Sequence, residues 1–195
     1  MLKSKEDLRY YKLQDAVMNG FITTSLKRRM WIKLFSKKYR FLCLLREAEY
    51  YKNNNPSYLN KFLFLLKIYK LKKLGMRLGF TIEPNCFGPG LSLPHCGTIV
   101  VNGNARIGAN CRLHCCTNIG ASAGEKKAPQ IGDNCYIGPG AILFGNIKIA
   151  NNITIGANAT VNHSFEEEHV AIAGTPARIV KRDMPNWLQL NQIKM

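Results

Sequence analysis

The chain has 195 residues, enough for one large domain or two small ones. Its formal charge of +16 is lopsided: residues 1–80 hold 19 Lys or Arg against 5 Asp or Glu, and residues 81–195 hold 9 against 7. No apolar run approaches the roughly twenty residues of a membrane span, residues 1–7 lack the apolar core of a signal peptide, and seven cysteines without a CxxC argue against a disulfide framework. Reduced thiols and a cytoplasmic place are therefore expected.

Residues 1–79 read as a basic, helical region. A helical stretch is expected from about Leu26 to Tyr51, stopped by Asn53-Asn54-Asn55-Pro56. Tyr58 to Leu78 reads as a second helix, because Phe64, Ile68, Leu71, Leu74 and Leu78 follow at steps of 4, 3, 3 and 4 and form one stripe. Phe62, Leu63, Leu65 and Leu66 make its first half apolar nearly all round, which predicts burial on more than one side. The simplest role is a cap with solvated lysines. The alternative is a surface that meets anionic lipid or an anionic polymer, hence a peripheral place at the inner face of a membrane. Charge alone admits nucleic acid, but no nucleic-acid motif is present.

From Val101 to Val161 an aliphatic residue returns at every sixth position: Val101, Ile107, Leu113, Ile119, then Ile131, Ile137, Leu143, Ile149, Ile155 and Val161. One double step separates Ile119 from Ile131. This period fits neither a helix nor a half-buried strand. It is the beat of a parallel β-helix, whose short strands stack coil on coil. The aliphatic residues should point inward. Small or branched residues two positions earlier (Ala105, Cys111, Thr117, Cys135, Ala141, Ile147, Ile153, Ala159) should fill the remaining interior. Gly follows the aliphatic at Gly108 and Gly138 among others, where a corner leaves little room for a Cβ. Asn104, Asn110, Asn134, Asn146, Asn152 and Asn158 precede it by three, and Asn tolerates left-handed backbone. The open ends of such a solenoid need caps, which the flanking segments should supply. The division is thus 1–79 helical, 80–182 solenoid and 183–195 tail.

Ala121 to Gln130 interrupts the beat with Gly124, Glu125, Lys126, Lys127 and Pro129, and is read as an arm toward an active site or a neighbouring subunit. One coil is about eighteen residues. Cys96 and His114 are that far apart, so both should stack on one face beside His95. The spacing of Cys96, His114, Cys115 and Cys116 matches no usual zinc motif, and no metal is expected. His163 and His169, beside Glu166-Glu167-Glu168, read as a solvated turn.

The segment Leu91-Ser92-Leu93-Pro94-His95-Cys96-Gly97-Thr98-Ile99-Val100-Val101, the hexapeptide run, the loop, and Ala173-Gly174-Thr175-Pro176-Ala177-Arg178-Ile179-Val180 together resemble the serine acetyltransferase branch of the hexapeptide acyltransferases, over roughly residues 80–182. The resemblance implies a left-handed β-helix, homotrimers with active sites between subunits, and acetyl-CoA as donor. It puts the catalytic histidine on His95, as general base toward an acceptor hydroxyl, a role suited to a side chain that titrates near working pH. It implies a main-chain N–H near Gly120 or Ala121 for the oxyanion. It also implies pantetheine contacts at Ala121, Pro139 and Ala157, and phosphate contacts at Lys181 and Arg182.

The chain departs from that family where serine would be held. The family's Asp-Ile-His-Pro reads Thr81-Ile82-Glu83-Pro84, leaving Glu83 as the acidic candidate for the acceptor site, beside His114. The aspartate before the catalytic histidine is Pro94, and the family's Arg-His-Pro at the loop's end is Lys127-Ala128-Pro129. A pocket without these partners should bind a zwitterion poorly. The expected function is therefore O-acetylation of a sugar hydroxyl in a surface polysaccharide or its precursor, as in related enzymes. The alternative is serine O-acetyltransferase of cysteine biosynthesis. A non-catalytic solenoid that binds an anionic polymer through residues 1–80 is the competing class.

Overall fold

The structure, a computed structural model, describes residues 2–22, 24–54 and 57–192. Four helices come first: α1 (Lys5–Met18), α2 (Leu26–Phe35), α3 (Lys37–Asn53) and α4 (Tyr58–Leu78). Ser4, Ser25, Ser36 and Ser57 cap their N-termini by accepting backbone N–H bonds, each meeting donors that a first turn leaves unpaired. The expected stretch from Leu26 to Tyr51 is thus two helices. Ser36 breaks it, ending α2 and capping α3, because its hydroxyl competes for the Tyr39 N–H. Asn55 and Pro56 of the expected breaker lie outside the described residues. α4 runs over the expected span and stops at Gly79, whose φ of 79° ends the helix in the left-handed region.

The stripe on α4 faces inward, with Leu71 and Leu78 buried. Phe62 and Leu65, however, remain 63% and 62% exposed. Burial on several sides therefore does not hold within one chain, because α3 covers one side only. Phe41 of α3 stacks edge-on with Phe80 at 5.1 Å, and Gly75 of α4 fits against Phe41. These contacts seat the helix pair on the first coil.

Three parallel sheets follow. The first face is β1 (Phe80–Ile82), β2 (Ile99–Val101), β5 (Thr117–Gly120), β8 (Ile142–Phe144) and β11 (Thr160–Val161), neighbours in that order. The second is β3 (Arg106–Ile107), β6 (Gln130–Ile131) and β9 (Lys148–Ile149). The third is β4 (Arg112–Leu113), β7 (Tyr136–Ile137), β10 (Thr154–Ile155) and β12 (Ala171–Gly174), closed by the antiparallel β13 (Ala177–Lys181). From β2 to β12 consecutive strands of the chain lie on different faces, and each pairs with its equivalent one coil away, which defines a three-sided parallel β-helix.

Every residue of the six-residue series is inside, between 0% and 4% exposed, and so are all eight residues two positions before it. Register carries the columns: Val101 lies on Ile119, Ile119 on Leu143 and Leu143 on Val161. Asn110, Asn134, Asn152 and Asn158 take positive φ, whereas Asn104 and Asn146 do not. Asn110, Asn134 and Asn152 form a side-chain ladder at 3.3 and 3.1 Å. Gly108 and Gly138 serve close stacking: a Cβ on either would come within 2.8 Å of backbone in the next coil. The tail does not hang free. Residues Trp187–Leu190 form α5, with Trp187 and Leu188 buried, and Trp187 Nε1 donates to the Asn110 carbonyl at 2.9 Å.

Candidate active site

His95 lies on the edge between the third and first faces. Ser92 pairs with Arg112 and Ile99 with Thr117, so seven steps of chain span here what five span in the next coil. At this edge the first coil therefore carries two extra residues, and the bulge they make exposes the His95 imidazole.

The helical region grips this strap from both sides. Asn19, just past α1, accepts from the Leu93 N–H at 2.9 Å and donates to the Leu91 carbonyl at 2.8 Å. Lys38 of α3 donates to the carbonyls of Leu93, at 3.1 Å, and Pro94. Burial pushes its ammonium below the usual lysine range. On the far side the Gly97 N–H donates to the Leu78 carbonyl at 2.9 Å. The end of α4 comes so near that a Cβ on Gly79 would lie 2.6 Å from the Gly97 oxygen.

Deeper, the carboxylate of Asp15 accepts the N–H groups of Gly90 and Leu91, both at 2.9 Å. Arg46 neutralises it through two bonds of 2.8 and 3.0 Å, and also donates to Glu49 at 2.9 Å and to the carbonyls of Phe87 and Gly88. Burial alone would lower the Arg46 pKa, but the two carboxylates more than offset it and hold the guanidinium charged.

His114 stands beside His95 as expected, their ring centroids 5.9 Å apart, and Tyr136 continues the column 4.9 Å from His114. Burial, then the charge of Arg112, then that of His95 lower the His114 pKa, so its ring is held neutral. Its Nε2 is buried and has no hydrogen-bond partner among the described residues. A neutral, unpaired imidazole nitrogen next to an exposed imidazole suits a ligand hydroxyl, since a buried polar atom left unpaired is costly. Arg112 is turned away from the column: it donates to Ser92 Oγ at 3.1 Å and lies 4.2 Å over the Trp187 ring.

The other expected site residues are spread over the prism. Pro139 and Ala157 lie farther along the His95 edge, where the Gly140 N–H donates to the Cys115 carbonyl and the Asn158 N–H to Pro139. Gly120 and Ala121 end the first face at the next edge. Glu83 is on that edge too, against Gly103, and pairs with Lys72 at 3.6 Å. The chain by itself does not bring Glu83, Gly120 or Ala121 to His95. The loop from Ala121 leaves this same edge, held by Asn104 donating to the Lys126 carbonyl at 2.8 Å, so it does not reach His95 of its own chain. Lys181 and Arg182 close the last coil, where Arg182 pairs with Glu167 at 2.9 Å.

Sequence reasoning missed Tyr136, Lys38 and Asn19. Tyr136 was within reach, since it is in register with Arg112 once the loop is counted into the coil. Nothing periodic points to Lys38 or Asn19. Among the described residues no group of three or more His, Cys, Asp or Glu is arranged to hold a metal, and no helix is long and apolar enough to cross a membrane. All seven cysteines are free.

The family described as bacterial transferase hexapeptide (six repeats) matches residues 128–163. A serine acetyltransferase of Staphylococcus aureus is 36% identical over 108 residues, covering 54% of this chain and 50% of that protein. The chain thus spans about half the length of this curated relative. A serine acetyltransferase structure from Vibrio cholerae superposes with a TM-score of 0.75 at 23% identity, over 95% of this chain and 70% of that one. A serine acetyltransferase in complex with CoA gives 0.70 at 22% identity, over 90% and 71%. Both the helical region and the solenoid are covered by these superpositions, so the chain shares the fold of these serine acetyltransferase structures.

Proposed function

We propose that the protein is an acetyl-CoA-dependent O-acetyltransferase, with His95 as general base. The observation that carries this reading is the exposed His95 imidazole, held in a two-residue bulge beside the unpaired Nε2 of His114. His95 takes the proton of an acceptor hydroxyl as that oxygen attacks the thioester carbonyl. It returns the proton as the thiolate of coenzyme A leaves, so no covalent enzyme intermediate is needed. His114, neutral, accepts or donates a bond to the acceptor or to His95. The donor contacts lie on two edges of one chain, which supports a homotrimer whose sites form where the His95 edge of one copy meets the Gly120 edge of the next.

Two acceptors are supported by specific observations. The named relatives are serine acetyltransferases, which favours L-serine. The chain's own residues favour a sugar hydroxyl of a polysaccharide or its precursor. Pro94 replaces the aspartate beside the base, Ala128 replaces the histidine at the loop's end, and Glu83 is paired with Lys72 away from His95. A site without carboxylate and cationic partners placed beside the base for an amino acid discriminates against a zwitterion. Acetyl-CoA turnover with L-serine and with a panel of sugars separates the two, and efficient use of serine would remove the sugar reading. Changing His95 to Ala should cut kcat by about 10²–10⁴ with either acceptor, and an unchanged rate would sink the catalytic role altogether.

Contact with an anionic membrane surface is part of the same proposal. Among the described side chains, α2 exposes Leu26, Met30, Trp31, Leu34 and Phe35 next to Lys27 and Arg28, and buries only Ile32. An apolar strip with cations beside it is the pattern of an interfacial helix. Flotation with phosphatidylglycerol vesicles, lost on changing Trp31 and Phe35 to Ser, is the expected result.

A further inference from the structure

A groove of about 720 Å³ runs between α3 and α4, with Lys12 of α1 at one side. Its lining includes seven cationic side chains: Lys12, Lys37, Arg40, Lys67, Lys70, Lys73 and Arg77. Its one carboxylate, Glu47, takes two of them, Lys12 and Lys67, each at 2.6 Å. The helices are antiparallel, as the Phe41–Gly75 contact and the Lys67–Glu47 pair show, so the start of α3 faces the end of α4. At that end Lys37 and Arg40 face Lys73 and Arg77, and none of the four has a carboxylate partner within ion-pair distance among the described residues. Four like charges lining one end of a groove without an anion repel one another, and a dianion relieves that repulsion.

The position of this end matters as much as its charge. The strap that bears His95 touches both groove helices just there: Lys38 of α3 holds the Leu93 and Pro94 carbonyls, and the Leu78 carbonyl of α4 holds the Gly97 N–H. Lys37 and Arg77 are the immediate chain neighbours of these two contacts.

We infer that Lys37, Arg40, Lys73 and Arg77 form a phosphate-binding subsite that holds the anionic group of a phosphorylated acceptor while its sugar hydroxyl meets His95. The subsite deepens the acetyl-transfer reading and rests on it for the acceptor's role, but its binding of phosphate stands independently. Phosphate recognition by converging Arg and Lys needs no base-like specificity and weakens steeply with salt.

The test uses the whole chain. Inorganic pyrophosphate is titrated calorimetrically into the wild type, into Lys73→Ala/Arg77→Ala, into Lys37→Ala/Arg40→Ala, and into Arg106→Ala/Lys148→Ala on the second solenoid face. All four groove positions are exposed, so folding should survive, and thermal melting checks it. At least tenfold weaker binding in both groove variants, with the solenoid control unchanged, is the expected outcome. Absent binding, or equal weakening in the control, overturns the subsite. Acetyl transfer is then compared between a hexose 1-phosphate and the matching methyl hexoside. The wild type should prefer the phosphate, and the groove variants should lose at least tenfold of that preference through KM. A rise in KM for acetyl-CoA instead would assign the groove to the donor and overturn the inference. Failure of every sugar would sink the sugar-acceptor reading, while the pyrophosphate titration would still decide whether the groove binds phosphate.

Discussion

The solenoid holds its interior with apolar columns, and the helical region holds onto the solenoid with buried charge. Between Val101 and Val161 the core is aliphatic residue on aliphatic residue, in a register that repeats face after face. Across the junction the deepest contact is Asp15–Arg46–Glu49, which also satisfies four main-chain groups of residues 87–91. The first kind of core is tolerant, because each coil repeats its neighbour. The second is specific, because a network of this kind is stable only when every member is present. The difference explains why His95, the proposed base, sits at the junction: a bulge in the first coil gains a fixed shape only from a partner that grips its main chain.

Breaking the network should have the largest effect. Arg46→Ala strands two buried carboxylates and should cost about 3–5 kcal/mol, seen as a lower urea midpoint, together with loss of acetyl transfer as Asp15 releases Gly90 and Leu91. In the solenoid, Ile137→Ala should cost about 2–5 kcal/mol as a cavity forms, with residual activity in the fraction that stays folded. Equal loss of activity per unit of stability in both variants would erase the distinction. Asn19→Ala, which frees only the strap, should lose about 1–2 kcal/mol of stability and lower kcat while KM for acetyl-CoA holds.

The smallest effect is a pH slope. The native His114 pKa is lowered, so the unfolded chain binds more protons once the pH falls below the ordinary histidine value of about 6.5. Stability should therefore rise with pH from the depressed native pKa up to that value, and should flatten above it. His114→Leu should show a shallower slope in that window, read from urea midpoints at several pH values. An unchanged slope would mean that the buried Nε2 is not proton-excluding.

What the sequence disclosed follows the same division. The inward series, the eight residues two positions before it, the span of α4 and the pairing of His95 with His114 all follow from periodicity, and periodicity survives in a string of letters. Ser36 was hidden because Lys and Arg on both sides suit a helix, and only the cap hydroxyl breaks it. Arg46, Asp15, Lys38 and Asn19 were hidden because the bonds that tie them across the junction reach 31 to 76 residues along the chain, with no repeat to announce them. Phe62 and Leu65 misled for the converse reason: an apolar surround tells that something is to be covered, not that the same chain covers it.

The interrupted coil has a consequence of its own. Where Val101 to Ile119 spans eighteen residues, Ile119 to Leu143 spans twenty-four, yet both steps land in perfect phase. Doubling a flexible excursion costs only about 0.6 kcal/mol of closure entropy. The ridge of the prism thus behaves as a mounting rail, onto which segments of different length and composition can be clipped without retuning the stack beneath.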